Sequence, residues 1–130
     1  MSIDTRTLKP GQIFAAFVGE KVDGHRYLHE AHKAGSTLAI VEAGGQLPEV
    51  LPEGMTIIEV ESTRLALGKL ARAYRKTLTS TRVIAVTGSN GKTTTVRLID
   101  QVLSTRLRGS ASVKSFNNDI GLPLTILAAK

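Results

Sequence analysis

One segment constrains the fold of this chain more than any other, because a β-branched run leads directly into a glycine-rich turn and then a helical pattern. Residues 82–87 read Arg-Val-Ile-Ala-Val-Thr, the turn is Gly88-Ser89-Asn90-Gly91, and apolar residues at helical spacing follow from Lys92 to Thr105. A dense β-branched run of this length predicts a strand buried in a parallel sheet. The order of strand, turn and helix therefore predicts an α/β domain.

The turn itself predicts a phosphate-binding loop. Several unpaired backbone N–H groups and the helix dipole converge where such a turn meets a helix, and this arrangement suits an anion. The strict pattern GxxxxGK[ST] has a glycine five positions before Gly91, where this chain has Val86, so the loop is a shorter variant that begins at Gly88. Lys92 would reach the β- and γ-phosphates of a nucleotide, and the Thr93 hydroxyl would hold Mg²⁺. The candidate phosphate-binding residues are Gly88, Ser89, Asn90, Gly91, Lys92, Thr93 and Thr94. The alternative is a plain turn between a strand and a helix.

The part of the chain before residue 80 shows a second alternation of strands and helices. Apolar runs at 13–18, 37–41 and 56–60 predict strands, a helical pattern covers 25–34 and ends at Gly35, and Ser62 is placed to cap a further helix. We therefore predict an α/β fold with a small domain at 1–80 and the beginning of a parallel-sheet ATPase domain at 81–130. About 50 residues are too few for a doubly wound sheet, so we expect the second domain to be incomplete.

The composition of the chain favours some classes of binding partner and excludes others. The chain has 17 Lys and Arg against 11 Asp and Glu, a net charge of +6, which suits a phosphate-bearing ligand. Its two Tyr and three Phe are not interleaved with basic residues, so we do not expect nucleic-acid binding. The absence of cysteine excludes disulfides and thiolate metal sites. No apolar run approaches the ~20 residues of a membrane span and no signal peptide is evident, which predicts a cytoplasmic protein.

Three further groups of polar residues are candidates for ligand contacts. Asp4-Thr5-Arg6 offers a carboxylate, a hydroxyl and a guanidinium suited to a ribose and a diphosphate, although a surface ion pair explains the same residues. Asp23-Gly24-His25 fits a ligand site or a turn with a helix cap. Asn117-Asn118 fits contacts to phosphate or sugar oxygens, or a cap.

These motifs together resemble those of the Mur ligases, the ATP-dependent amide ligases of bacterial cell-wall precursor synthesis. The segment Thr87 to Thr94 is similar to their nucleotide loop, which folylpolyglutamate synthases share. The segments Asp4 to Phe14 and Gly19 to His25 resemble the uridine-nucleotide-binding N-terminal domain of Mur ligases, which folate enzymes lack. The segment Phe116 to Thr125 resembles the Asn-Asn-x-Ile-Gly-x-Pro stretch of the member that adds D-alanyl-D-alanine.

The resemblance implies contacts to a UDP-substrate from two parts of the chain. They are Asp4, Thr5, Arg6, Asp23, Gly24 and His25, together with Asn117 and Asn118.

The resemblance also implies that the loop at 88–94 binds ATP, that Lys92 is catalytic, and that ATP and Mg²⁺ are the cofactors of a reaction. The γ-phosphoryl group of ATP moves to the carboxylate of UDP-N-acetylmuramoyl-tripeptide, and the amine of D-Ala-D-Ala attacks the acyl phosphate. Because the family's third domain and part of its second have no counterpart here, we expect a fragment that is inactive alone. The alternatives are another Mur ligase, such as the one that adds the third amino acid, a non-catalytic nucleotide-binding module, and a basic nucleic-acid-binding protein.

Two other patterns carry expectations. His25, His29 and His32 are spaced to share one helix face, but no HExxH pattern or suitably spaced acidic ligand accompanies them, so we expect no metal site there. The apolar runs at 83–86 and 120–127 are expected to be exposed for want of covering elements.

Overall fold

A computed structural model describes residues 1–19, 22–112 and 119–129. The strands are β1 (Phe14–Ala15), β2 (Leu38–Glu42) and β3 (Thr56–Val60); the helices are α1 (Leu28–Lys33), α2 (Thr63–Thr77), α3 (Lys92–Ser104) and α4 (Gly121–Ala128), with a short 3₁₀ turn at Gly24–Tyr27 before α1. The chain divides into two compact units, Met1–Ala66 and Leu67–Lys130. The fold is α/β, as predicted.

The first unit is built on a parallel sheet with the strand order β1-β2-β3. Phe14 pairs with Ala39, and the β2–β3 ladder runs from Leu38↔Thr56 to Glu42↔Val60. Ser2 forms a parallel bridge to Phe14 on the outer side of β1. The predictions for β2 and β3 are confirmed, whereas β1 is shorter than the predicted run at 13–18, because the chain turns back and Val18 bridges to Asp23 in antiparallel fashion.

The predicted helix at 25–34 forms as the 3₁₀ turn followed by α1, and it ends at Gly35 as expected. Gly35 has a φ of 92°, a left-handed conformation that favours glycine. Its N–H donates to His32 O (2.8 Å), and the Ser36 N–H donates to Ala31 O (3.0 Å). This pair of bonds is the Schellman arrangement, which satisfies the last carbonyls of the helix and returns the chain to β2.

The core of the first unit lies between α1 and the sheet. Phe14 and Leu28 are its largest fully buried apolar residues, and small alanines on both elements let the helix lie close to the strands. The buried cluster consists of Leu8, Phe14, Ala16, Leu28, Ala31, Ala39 and Val41, with Ala34, Met55 and Ile57 packed against it. This packing holds the carboxyl ends of β1 and β2 side by side.

Helix α2 begins with the predicted cap. The Leu65 N–H donates to Ser62 Oγ (3.4 Å) and the Ala66 N–H to Ser62 O (2.9 Å). A second acceptor comes from β2, because Glu42 Oε2 accepts the Thr63 N–H at 2.8 Å. An anionic carboxylate at a helix N-terminus is stabilising because it meets unpaired N–H groups and the positive end of the dipole.

The second unit corrects one prediction. Residues 82–87 do not form a strand, although the helix predicted after them is present as α3. A β-branched run becomes a strand only when a neighbour pairs with it, and the part of the second unit that the structure describes contains no strand. Val83 and Ile84 are accordingly 50% and 58% exposed, which confirms the expected exposure of this run.

Apolar side chains are also exposed on the helices α3 and α4 of the second unit. Leu98 and Val102 of α3 are 57% and 68% exposed. In α4, Leu122 is exposed, whereas Pro123 is buried and the Tyr74 hydroxyl donates to Ala129 O at 2.8 Å just beyond the helix. The apolar run at 120–127 is therefore only partly exposed. None of the helices in the described ranges is long and apolar enough to cross a membrane.

Candidate functional site

A shallow pocket of about 360 Å³ lies where the chain leaves β1 and β2. In parallel sheets the crevice beyond the carboxyl ends of the strands is the usual place for a ligand. The walls come from the segment after β1, from the 3₁₀ turn and from the segment after β2. The lining residues are Val18, Gly19, Val22, Asp23, Arg26, Tyr27 and Gln46.

Asp23 is the acidic residue of this pocket and the cap of the 3₁₀ turn. Its Oδ1 accepts the His25 main-chain N–H (2.9 Å) and faces His25 Nδ1, and its Oδ2 accepts the Gln46 N–H (3.2 Å). Burial acts to raise the pKa of Asp23, but the hydrogen bonds from His25 and Gln46 outweigh it and lower the pKa below its ordinary range. Asp23 is therefore the cap of the turn and also lines the pocket, while its contact with a ligand stays a prediction.

His25 is completely buried, and both of its ring nitrogens are occupied by protein atoms. Nε2 accepts a hydrogen bond from the Glu42 main-chain N–H at 2.8 Å, so the ring proton lies on Nδ1. This Nδ1–H donates a hydrogen bond to Asp23 Oδ1. The ring therefore ties the 3₁₀ turn to the end of β2. The resemblance implies substrate contact by His25, which stays a prediction; in the structure its ring is hydrogen-bonded to Asp23. Gly24, the first residue of the turn, donates its N–H to Phe17 O (2.8 Å).

Gly45 leaves the space in which this ring lies. A Cβ built on Gly45 would lie 2.5 Å from His25 Cδ2 and 2.6 Å from Cε1, and closest of all to Nε2. Real Cβ atoms do not approach other atoms so closely, so glycine is required at this position by the ring. Sequence reasoning missed Gly45, because its partner is distant in the chain.

Arg26, Tyr27 and Gln46 are pocket residues that sequence reasoning also missed. Arg26 Nε donates to Gln46 Oε1 at 3.1 Å, and Arg26 Nη2 contacts the same oxygen. Tyr27 and the two valines that line the pocket have exposed apolar surface, 40% for Tyr27 and 53% for each valine. The position of Arg26 and Tyr27 directly after the Asp23-Gly24-His25 motif was the one available signal in the sequence.

Asp4 and Arg6 form the exposed ion pair that the sequence offered as an alternative to a ligand site. Arg6 Nε lies 2.9 Å from Asp4 Oδ1 and Arg6 Nη2 lies 2.7 Å from Oδ2, while Thr5 lies in the turn between them. The Arg6 hydrogen bonds lower the pKa of Asp4 below its ordinary range. The hydrogen bond to Asp4 raises the pKa of Arg6, and Tyr27 adds a smaller electrostatic effect in the same direction. The Arg6 side chain is 87% exposed and available to an anion.

The predicted phosphate loop forms a turn at the start of α3. Gly88 and Gly91 have φ angles of 146° and 76°, conformations that other residues rarely adopt, and Gly91 is the cap residue of the helix. Ser89 and Asn90 form the exposed bend between them. Lys92 folds back over the turn, where Nζ donates to Gly88 O and to Ser89 O, the latter at 3.3 Å. Its ammonium group therefore lies directly over the loop.

Thr93 and Thr94 lie exposed in the first turn of α3. No side chain caps this N-terminus, because the cap residue is a glycine. A helix start of this kind leaves backbone N–H groups and the positive end of the dipole facing solvent, which favours an anion.

Two predicted residues and one group of histidines complete the account. Asn117 and Asn118 lie outside the described residues. The rings of His25 and His29 are bonded within the protein, His29 Nε2 to Val50 O at 2.8 Å. Within residues 1–19, 22–112 and 119–129, no three His, Cys, Asp or Glu side chains are grouped to hold a metal ion.

Two profiles of one protein family match the chain. A family profile described as "Mur ligase family, catalytic domain" matches residues 1–75, and one described as "Mur ligase middle domain" matches residues 86–130. The chain belongs to the Mur ligase family.

The chain is also similar to individual proteins of this family. The chain is 44% identical over 128 residues to UDP-N-acetylmuramoyl-tripeptide–D-alanyl-D-alanine ligase of Bacillus subtilis, covering 98% of this chain and 27% of that protein. It is similar to MurF of Acinetobacter baumannii (TM-score 0.81, 31% identity, 99% of this chain and 27% of that one). It is also similar to MurF ligase of Thermotoga maritima in complex with ADP (TM-score 0.72, 31% identity, 97% and 28%). The chain thus spans about a quarter of the length of these relatives.

Proposed function

We propose that this chain supplies the uridine-nucleotide pocket and the ATP loop of a ligase that joins D-Ala-D-Ala to UDP-N-acetylmuramoyl-tripeptide in the cytoplasm. The observation that carries the proposal is the loop at residues 88–91, which turns through two left-handed glycines into the N-terminus of α3 with Lys92 above it. The family membership and the named relatives support the substrate assignment. We assign residues 1–80 to the uridine-nucleotide domain and residues 81–130 to the start of the ATP-binding domain.

ATP would bind with its phosphates against the N-terminus of α3. The backbone N–H groups of residues 88–94 would donate to the phosphate oxygens, and Lys92 would leave the loop carbonyls to pair with the β- and γ-phosphates. Catalysis of phosphoryl transfer depends mainly on positioning and charge neutralisation, and Lys92 supplies both.

The Thr93 hydroxyl is suited to coordinate a nucleotide-bound Mg²⁺. Mg²⁺ at such sites takes one or two protein oxygens, with phosphates and waters completing its shell. The Thr93 hydroxyl is exposed in the first turn of α3, beside the loop. When bound there, the ion would neutralise phosphate charge.

The uridine nucleotide would bind at the carboxyl edge of the first unit's sheet. Asp23 and the turn that begins at Gly24 form one wall of the pocket, with His25 as the residue that orients Asp23. Asp4, Thr5 and Arg6 follow the bridge at Ser2 at the same edge, where Arg6 is exposed to meet the diphosphate. Asn117 and Asn118 remain assigned to the substrate by resemblance.

The reaction proposed for the whole enzyme has two steps. A carboxylate oxygen of the tripeptide attacks the γ-phosphorus of ATP, ADP leaves, and an acyl phosphate forms. The amine nitrogen of D-Ala-D-Ala then attacks the acyl carbon, inorganic phosphate leaves, and the amine proton is lost to a base. Phosphorylation converts the poor leaving group of a carboxylate into a good one, which is why ATP is consumed.

Calorimetric titration of this chain with Mg·ATP and, separately, with UDP tests both pockets. Lys92→Ala should abolish ATP binding and leave UDP binding intact, and Arg6→Ala should do the reverse. Lys69→Ala removes an exposed positive charge from α2 and serves as the matched control, which should change neither affinity. Loss of ATP affinity in Lys69→Ala equal to that in Lys92→Ala would show that general charge, rather than the loop, holds the nucleotide. An unchanged ATP affinity in Lys92→Ala would refute the proposed loop.

A further inference from the structure

The carboxamide of Gln46 is held in one orientation at the pocket wall. Its Oε1 accepts from Arg26 Nε at 3.1 Å and from Arg26 Nη2, and its main-chain N–H donates to Asp23 Oδ2 at 3.2 Å. A guanidinium has only donors, so the carboxamide must turn its oxygen, not its nitrogen, toward Arg26. Among the described residues no hydrogen bond uses Gln46 Nε2. Gln46 lines the pocket, so its carboxamide leaves an N–H donor at the wall for a ligand.

The chemistry of the pocket favours the base of a nucleotide over its diphosphate. Val18, Val22 and Tyr27 contribute half-exposed apolar surface, which suits the faces of a planar ring. Asp23 carries a negative charge beside them, and a diphosphate placed there would meet like charge. A neutral heterocycle avoids that repulsion and covers the apolar walls.

We propose that Gln46, oriented by Arg26, selects uracil over cytosine in this pocket. The inference rests on the proposed function, since it deepens the uridine-nucleotide assignment. Uracil has a carbonyl oxygen at C4, which accepts a hydrogen bond from the Gln46 amide. Cytosine has an amino group at the same place, so donor would face donor and the pocket's N–H would lose its partner. Sites that hydrogen-bond one group of a ligand reject analogues that leave their own polar groups unpaired.

Calorimetric titration of the intact chain with UDP and with CDP measures this selection directly. The wild-type chain should bind UDP roughly two- to tenfold more tightly than CDP, the effect of one hydrogen bond. Gln46→Glu keeps an oxygen for Arg26 and replaces the N–H donor with an acceptor, so the UDP:CDP affinity ratio should fall to about one or invert. Gln101→Glu makes the same change of charge at an exposed site on α3 and should retain the wild-type ratio.

Arg26→Met provides a second, independent variant. Without the guanidinium the Gln46 carboxamide is free to rotate and present its oxygen to cytosine. The UDP:CDP affinity ratio should therefore fall, although Gln46 itself is unchanged. Thermal unfolding of each variant would check that the first unit remains folded.

The outcomes separate the inference from the proposed function. A wild-type chain that binds UDP and CDP equally, or a Gln46→Glu variant that keeps the wild-type ratio, overturns the role of Gln46 and leaves the uridine pocket standing. A wild-type chain that binds neither nucleotide overturns both.

Discussion

Replacing Gly45 with alanine should cost this chain about 2–4 kcal/mol of folding free energy. The new Cβ would lie 2.5 Å from His25 Cδ2 and 2.6 Å from Cε1. The ring cannot move aside cheaply, because it is completely buried and bonded to Asp23 on one side and to the Glu42 N–H on the other. Overpacking of this kind costs roughly 1–3 kcal/mol, and losing a hydrogen bond of the ring adds roughly 1 kcal/mol.

Urea unfolding followed by circular dichroism gives the free energies for this comparison. Gly68→Ala is the control, since a Cβ on Gly68 in α2 meets no atom within 4 Å and should stabilise the helix by roughly 0.5–1 kcal/mol. In the double variant Gly45→Ala/His25→Ala the clash is gone, so it should be no less stable than His25→Ala alone. The reasoning is wrong if Gly45→Ala costs less than about 1 kcal/mol, or if the two substitutions are simply additive.

Two other predictions concern the Asp23–His25 pair. Because the pKa of Asp23 is lowered in the folded chain, its stabilising effect is present above its unfolded pKa of about 3.9 and is lost as the pH falls through the folded pKa, so acid should destabilise wild type more than Asp23→Asn. Urea unfolding at pH 6 and again at about pH 2.5 measures the free energy of unfolding of both proteins. An equal difference between wild type and Asp23→Asn at the two pH values would contradict the prediction. Nitrogen-15 NMR at neutral pH should find His25 with its proton on Nδ1, because Nε2 accepts the Glu42 N–H; a proton on Nε2 would contradict the assigned network.

The elements that sequence predicted well are those specified by neighbouring residues. The strand at 56–60 and the helix from Lys92 follow from local composition and spacing, and the stop at Gly35 follows from the conformation that a helix end requires. The run at 82–87 has equally strong local composition, but a strand also needs a partner, and no local pattern reports whether a partner is present. Sequence therefore predicted the propensity of this segment correctly and its structure wrongly.

The candidate site divides along the same line. Asp23 could be predicted as a candidate because its motif is contiguous, whereas the positions of Gly45 and Gln46 depend on contacts with His25 and Arg26 some twenty positions away. The burial of His25 and the hydrogen bonds of both its ring nitrogens depend on tertiary contacts, so the sequence could not predict them. Residues that are brought together by tertiary contacts have no characteristic spacing in the sequence, so a sequence pattern does not predict them.

The connection between β2 and β3 has a consequence for how this chain tolerates changes of length. Parallel neighbours are usually joined by a helix, but residues 43–55 join these two as a loop, all of which the structure describes. The first part of the loop holds Gly45 and Gln46 against the pocket, while Val50 is 73% exposed and a Cβ on Gly54 would meet no atom within 4 Å. Insertions, tags or a fluorescent probe should be accommodated at the exposed tip formed by Glu53 and Gly54, just beyond buried Pro52, whereas the removal of a single residue at 44–46 would shift the pocket wall out of register. One connection thus combines a part of fixed length with an exposed tip whose length can change.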